Sequence, residues 1–192
     1  MKRFLILVLA GVLAASINAS AKMKPSGFGG MNRMLVFTPT GGLVIPTGDF
    51  SNGTNGADIG FTTGGNLEYF VAPRVALTAG FNWQSFGNPS LSGDGADFFF
   101  LGIGARGFAF DDAQINPFGR VAGGLYQGNS ESNAGINFGG GILYRASEKL
   151  GIFGEGSLNF VFDFDQGSGT STTATFFGIT GGLSITIPTG NK

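Results

Sequence analysis

Ile59-Gly60-Phe61-Thr62-Thr63-Gly64-Gly65-Asn66-Leu67-Glu68-Tyr69-Phe70 alternates along its length: Ile59, Phe61, Thr63, Gly65, Leu67 and Tyr69 share one parity, and Gly60, Thr62, Gly64, Asn66 and Glu68 share the other. A period of two places successive side chains on opposite faces of an extended chain, so this stretch is a strand with one greasy and one polar face. Ala72-Pro73-Arg74 then makes a tight turn, and the device repeats with Val75, Leu77, Ala79, Phe81 and Trp83 against Ala76, Thr78, Gly80, Asn82 and Gln84. Two adjacent strands with the same greasy face form a hairpin.

The pattern extends in both directions. Ile136, Phe138, Gly140, Ile142 and Tyr144 oppose Asn137, Gly139, Gly141, Leu143 and Arg145; Leu158, Phe160 and Phe162 oppose Glu155, Ser157 and Asn159; Phe177, Ile179, Gly181, Leu183, Ile185 and Ile187 oppose Gly178, Thr180, Gly182 and Ser184. Strands are predicted at Met34 to Ile45, Asp58 to Phe70, Val75 to Phe86, Ala96 to Phe108, Pro117 to Gly128, Ala134 to Arg145, Leu150 to Asp163 and Ala174 to Ile187. Short connections at Ala72, Asp111-Asp112 and Ala146 to Lys149 alternate with long ones at Pro46 to Ala57, Gly87 to Gly95, Asn129 to Asn133 and Phe164 to Thr173. An even number of such strands, with short and long links in turn, predicts an all-β fold: an eight-stranded antiparallel transmembrane β-barrel, an up-and-down meander. A soluble β-sandwich would alternate as well and is the competing architecture. The fourth and fifth strands are the least regular, because Phe98, Phe99 and Phe100 run together and Phe118, Arg120 and Tyr126 share a parity. A bulge is expected in either.

Composition narrows the chemistry. The 192 residues include 36 Gly and 21 Phe, no Cys and no His, and only 12% are charged. Glycine at that density would cost a helical domain about 1 kcal/mol per interior position, whereas tightly curved strands tolerate it. Without histidine or cysteine there is no Ser-His or Cys-His nucleophile, no His-ligated or thiolate metal centre and no disulfide. The start of the chain reads as a secretory signal over residues 1–21: Lys2 and Arg3, an apolar run from Phe4 to Ala15, and Ala19-Ser20-Ala21 as the cleavage site. That run falls short of the roughly 20 residues of a membrane helix. The expected organisation is signal peptide 1–21, short tail 22–33, barrel 34–187 and C-terminal tail 188–192.

Gly42-Leu43-Val44-Ile45-Pro46-Thr47-Gly48-Asp49-Phe50, followed by Gly65-Asn66-Leu67-Glu68-Tyr69-Phe70 and Pro73, resembles the first hairpin of the OmpA/OmpX-type outer-membrane β-barrel superfamily. The resemblance covers the chain after the signal and implies residence in the cell outer membrane. It also implies partnership with outer-membrane lipid and lipopolysaccharide, and handling by periplasmic chaperones and the barrel-assembly machinery. The family usually ends on an aromatic residue, whereas this chain runs Ile185-Thr186-Ile187-Pro188 to Lys192, so Phe176 or Phe177 is expected to serve as the assembly signal. No peptidoglycan-binding domain is expected after the barrel, so no wall-anchoring role is carried over from the resemblance.

Two groups of charges stand out. Glu68, Arg106, Arg120 and Glu155 lie at inward parity, about three to six residues from short turns, with Arg145 below them beside its own turn. Buried charges must pair, so the five are expected to form an interior cluster, read as a structural plug with a narrow gated ion path as the alternative. Asp49, Asp58, Asp94, Asp97, Glu131, Asp163 and Asp165 gather at the long-loop end as an acidic outer rim, either plain solvated carboxylates or a site for divalent ions bridging to lipopolysaccharide. No cofactor, metal site or catalytic residue is expected. The match of Gly102-Ile103-Gly104-Ala105-Arg106-Gly107 to a dinucleotide fingerprint lacks the helix it needs. Trp83, Tyr126, Tyr69 and Tyr144 read as interfacial girdle aromatics, and a net charge of −1 argues against nucleic acid as a partner. The expected function is structural and surface-interacting, through the long loops. A small-solute channel is the second reading and an enzyme the third.

Overall fold

The computed structural model describes residues 34–51, 57–87, 97–111, 113–128, 131–165 and 171–187. The predicted signal peptide and both tails lie outside them. Eight strands follow one another: β1 (Leu35–Thr47), β2 (Asp58–Ala72), β3 (Val75–Gly87), β4 (Asp97–Phe108), β5 (Ile115–Gly128), β6 (Glu131–Arg145), β7 (Leu150–Asp165) and β8 (Ser171–Ile187). Each pairs antiparallel with the next, and β1 pairs with β8 from Leu35↔Ile187 to Thr47↔Thr175, closing the sheet into a barrel. At about 3.3 Å per residue and a tilt near 40°, strands of 12 to 17 residues rise roughly 30–43 Å, enough to clear an apolar belt of about 25 Å.

The alternation read from the sequence is the alternation of burial. Along β3, Ala76, Thr78, Gln84 and Phe86 are buried, while Val75, Leu77, Ala79, Phe81 and Trp83 face outward. The outer surface is therefore a continuous apolar wall, with Leu101, Leu125 and Ile179 more than half exposed and Ile103 reaching 74%. A soluble protein rarely shows an apolar patch beyond a few hundred Å², so this wall is built to meet hydrocarbon. Phe61 and Trp83 meet edge to face at 5.2 Å and Phe81 stacks on Phe99 at 6.2 Å towards the loop end, while Tyr69 and Tyr144 stand exposed towards the turn end.

Three expectations are corrected. Neither β4 nor β5 carries a bulge; the β4 ladders run without a register shift on both sides, and β5 pairs with β6 just as regularly. Phe98 and Phe100 point inward and Phe99 outward, so the run of three is ordinary alternation with an aromatic interior. The long link at Asn129 to Asn133 shrinks to residues 129–130, since Glu131, Ser132 and Asn133 extend the ladder opposite Gly128, Gln127 and Tyr126. Polar residues end these strands because the ladder outlasts the apolar belt. Tyr126 is no girdle residue: it is 1% exposed, inside the barrel, as its shared parity with Phe118 and Arg120 requires.

Glycine has a geometric role on the inner wall. A Cβ on Gly104 would lie 2.1 Å from the Val121 carbonyl oxygen of the neighbouring strand, so that position admits only hydrogen. The Gly102 to Gly107 match lies wholly within β4, far from any helix N-terminus.

Candidate functional site

The interior is layered. Towards the turn end, Val36, Phe70, Ala76, Phe108, Phe118, Leu143 and Phe153 form an apolar seal, with Phe70 stacked on Phe108 at 5.5 Å and Phe118 edge-on to Phe153 at 6.3 Å. Towards the loop end a second seal contains Val44, Phe50, Phe86, Phe98, Phe100, Tyr126 and Phe176. Phe50 reaches it from a 3₁₀ turn over Gly48–Ser51, not from a strand. Its ring lies 5.1 Å from Phe86, 5.9 Å from Phe98 and 6.4 Å from Phe176. Rings at these separations pack in the tilted and edge-to-face geometries that aromatic quadrupoles favour.

Between the seals lies the charged layer. Arg106 on β4 donates from Nη1 to Glu68 Oε1 on β2 at 2.5 Å, and from Nη2 to Glu155 Oε2 on β7 at 3.2 Å. Arg120 on β5 reaches Glu155 Oε1 at 2.9 Å, and its Nη2 also donates to Asn137 Oδ1 at 2.8 Å. Two carboxylates and two guanidinium groups sum to zero, which keeps burial affordable because no charge is left without an opposite partner. Thr38 donates to Glu68 Oε1 at 3.1 Å, and the Arg106 guanidinium lies over the Phe118 ring at 4.4 Å and near Phe153 at 5.4 Å. The layer thus rests directly on the lower seal.

Above it the network continues in neutral groups. Asn137 Nδ2 donates to Asn159 Oδ1 at 2.6 Å, and the Tyr126 hydroxyl donates to the same oxygen at 3.0 Å. One connected chain therefore runs from Glu68 through Arg106, Glu155, Arg120, Asn137 and Asn159 to Tyr126 in the upper seal. Beside it Thr40, Thr62, Asn82, Gln84, Ser157 and Thr180 line a chamber of about 30 Å³. A polar cavity needs roughly 10–15 Å³ per water, so the chamber has room for one or two. Gln84 Oε1, Arg106 Nε and Arg120 Nε are buried without a hydrogen-bond partner in the protein.

Of the residues expected in the interior, the structure brings Glu68, Arg106, Arg120 and Glu155 together in one layer and places Arg145 below them beside its turn, where it lines a small cavity together with Glu68. Arg145 is the last residue of β6, level with the turns, and its described hydrogen bond goes from Nη1 to the Asp111 carbonyl at 3.4 Å. The members that sequence reasoning missed are Thr38, Asn66, Asn137, Asn159 and Tyr126, all of which carry inward parity as their signal. Phe50 had none, because a loop residue has no face. In the acidic rim, Asp58 and Asp97 stand exposed at the loop ends of β2 and β4. Asp94 and the side chains of Asp49, Glu131, Asp163 and Asp165 fall outside the described residues.

No protein-family model matches the chain, and no curated protein matches its sequence. Solved structures do match its fold. The crystal structure of Neisserial surface protein A superimposes with a TM-score of 0.56 at 10% identity, over 79% of this chain and 96% of that one. The N-terminal β-barrel domain of Pseudomonas aeruginosa OprF superimposes with a TM-score of 0.53 at 12% identity, over 81% of this chain and 98% of that one. The chain shares the closed eight-stranded barrel fold of these two proteins. In a barrel of eight strands the lumen is just wide enough for side chains to fill, and here they fill it as two aromatic seals about a neutral ionic layer.

Proposed function

We propose that this protein is an exported outer-membrane barrel with a structural and surface-presenting role, closed to solutes at rest. The observation that carries the reading is the layered lumen: aromatic rings at both ends and, between them, paired charges spanning from β2 to β7. An ion crossing it would have to displace two seals and an ionic layer whose four members are already matched. The secretory pattern at residues 1–21 supports export, and the apolar outer wall supports insertion in a bilayer. In this reading the long-loop end faces outside the cell, where the rim and loops meet lipopolysaccharide or a surface ligand. The short turns face the periplasm, where chaperones and the assembly machinery handle the chain. The absence of histidine and cysteine supports a non-enzymatic role.

Conductance across a planar bilayer tests this. A protein that shows a heat-modifiable β-rich species and produces no steps is the expected result. Reproducible openings that change with Glu155→Gln or Arg120→Gln would overturn the closed reading and favour a narrow channel gated at the ionic layer.

A further inference from the structure

We propose that Glu68 is the inner end of a water-filled passage from the turn end of the barrel, so that solvent on that side reaches the ionic layer through one carboxylate oxygen. The two carboxylates of the layer are not used alike. Glu155 engages both oxygens, Oε2 with Arg106 and Oε1 with Arg120. Glu68 spends Oε1 on both Arg106 and Thr38, and no described group donates to its Oε2. Glu68 is 1% exposed, and a carboxylate oxygen withdrawn from bulk water is costly unless a donor reaches it.

The fold provides room for that donor. A cavity of about 30 Å³ has Glu68 and Val36 at its inner end and Arg145, Ser147 and Glu148 at its outer end, where the β6–β7 turn meets solvent. Val36 is the register partner of Glu68, so the two mark the same depth. Along the wall β8 contributes Ser184 and Thr186, whose hydroxyls no described group engages. A buried water takes roughly 10–15 Å³ and two to four polar partners, which this volume and this lining supply for one or two. An ion has less to draw it in. Arg106 already offsets Glu68, and Arg145 and Glu148 bring one charge of each sign. Beyond Glu68 the Arg106 guanidinium lies over the Phe118 ring at 4.4 Å and ends the path. The passage therefore skirts the lower seal on its β7–β8 side without crossing the ionic layer, and it stands independently of whether the barrel conducts.

The chain contains no cysteine, so a single introduced thiol reports access without background. Val36→Cys places a thiol beside the Glu68 carboxylate, and Ala76→Cys places one in the same seal but away from the cavity, at a position 0% exposed. In the protein folded in detergent micelles, where both ends meet water, Ag⁺ serves as a thiol reagent close to water in size. It should consume Val36→Cys at least about tenfold faster than Ala76→Cys, as an open and a locally closed site differ. Adding Ser184→Leu, which fills the passage, should bring the Val36→Cys rate down to that of Ala76→Cys with the heat-dependent gel shift unchanged. Equal rates for the two thiols in folded protein would overturn the proposal, and so would a Val36→Cys rate indifferent to Ser184→Leu. If a variant does not fold, NMR of the unsubstituted protein carries the test: cross peaks from water to the Val36 methyls and none to the Ala76 methyl are expected. No cross peak at Val36, or equal ones at both, would overturn the passage.

Discussion

Glu155 accepts from both arginines of the ionic layer, through Oε2 from Arg106 and Oε1 from Arg120, whereas Glu68 serves Arg106 alone. Its neutralisation leaves a net buried positive charge shared by two side chains. Glu155→Gln should therefore cost about 3–5 kcal/mol in guanidinium unfolding from vesicles, and more than Glu68→Gln. The pair Glu155→Gln with Arg120→Gln should cost less than the two single changes added together, because neutrality returns. A second residue-scale contrast separates two glycines. Gly104→Ala drives a methyl into the Val121 carbonyl and should cost about 1–3 kcal/mol or abolish the gel-shifted form, whereas Gly119, with nothing within 4 Å of a built Cβ, should accept alanine at no measurable cost. At this scale parity was legible and partnership was not. A period of two assigns Glu68, Arg106, Arg120 and Glu155 to the inside, but which carboxylate meets which guanidinium depends on the stagger between strands. Tyr126 shows a competition of signals. Its residue type suggested the girdle, its parity the lumen, and the geometry of the pleat prevailed.

The turns show how elements are joined. Asn116, fully buried near the start of β5, accepts from the Phe110 N–H at 3.1 Å and donates to the Phe110 carbonyl at 2.7 Å, clipping the β4–β5 connection shut. Asn116→Ala leaves two backbone groups without that partner and should cost about 1–3 kcal/mol by the same unfolding measurement. This clip is why β5 begins at Ile115, ahead of the start at Pro117 that the sequence suggests. A short-range amide contact of this kind leaves no periodic trace. On the solvent side, Arg74 from the β2–β3 turn grips Asp111 beyond β4. That hydrogen bond holds the Asp111 carboxyl below its ordinary range, with the arginine's charge adding to it and slight burial opposing. A depressed carboxyl contributes stability above its unfolded pKa of about 3.9, and the contribution is lost as pH falls through the lower folded value. Both groups are exposed, so the clasp is weak. An NMR titration should place the Asp111 midpoint below that of a free aspartate, and Arg74→Gln should move it up.

For the whole molecule, strand number, order and inward face follow from alternation and turn spacing, which survive without any knowledge of packing. The two seals do not, because rings that meet across a lumen come from strands far apart in the chain, and one comes from a loop. The outer wall makes a simple demand: the chain should give a heat-modifiable β-rich species in lipid or detergent and none in plain buffer, checked by gel shift and circular dichroism. The pairing of β1 with β8 adds a consequence in time. Every other ladder joins neighbours in the sequence, but this one brings Leu35 to Ile187, from opposite ends of the barrel sequence. Its described register also skips Thr38 and Pro39 between Phe37 and Thr40, at a residue with no amide hydrogen to give. Contacts so distant in sequence form late and slowly. Until they do, β1 and β8 are two bare edges inviting the wrong neighbour, so the moment of greatest hazard in the life of this barrel is the interval before its ends meet.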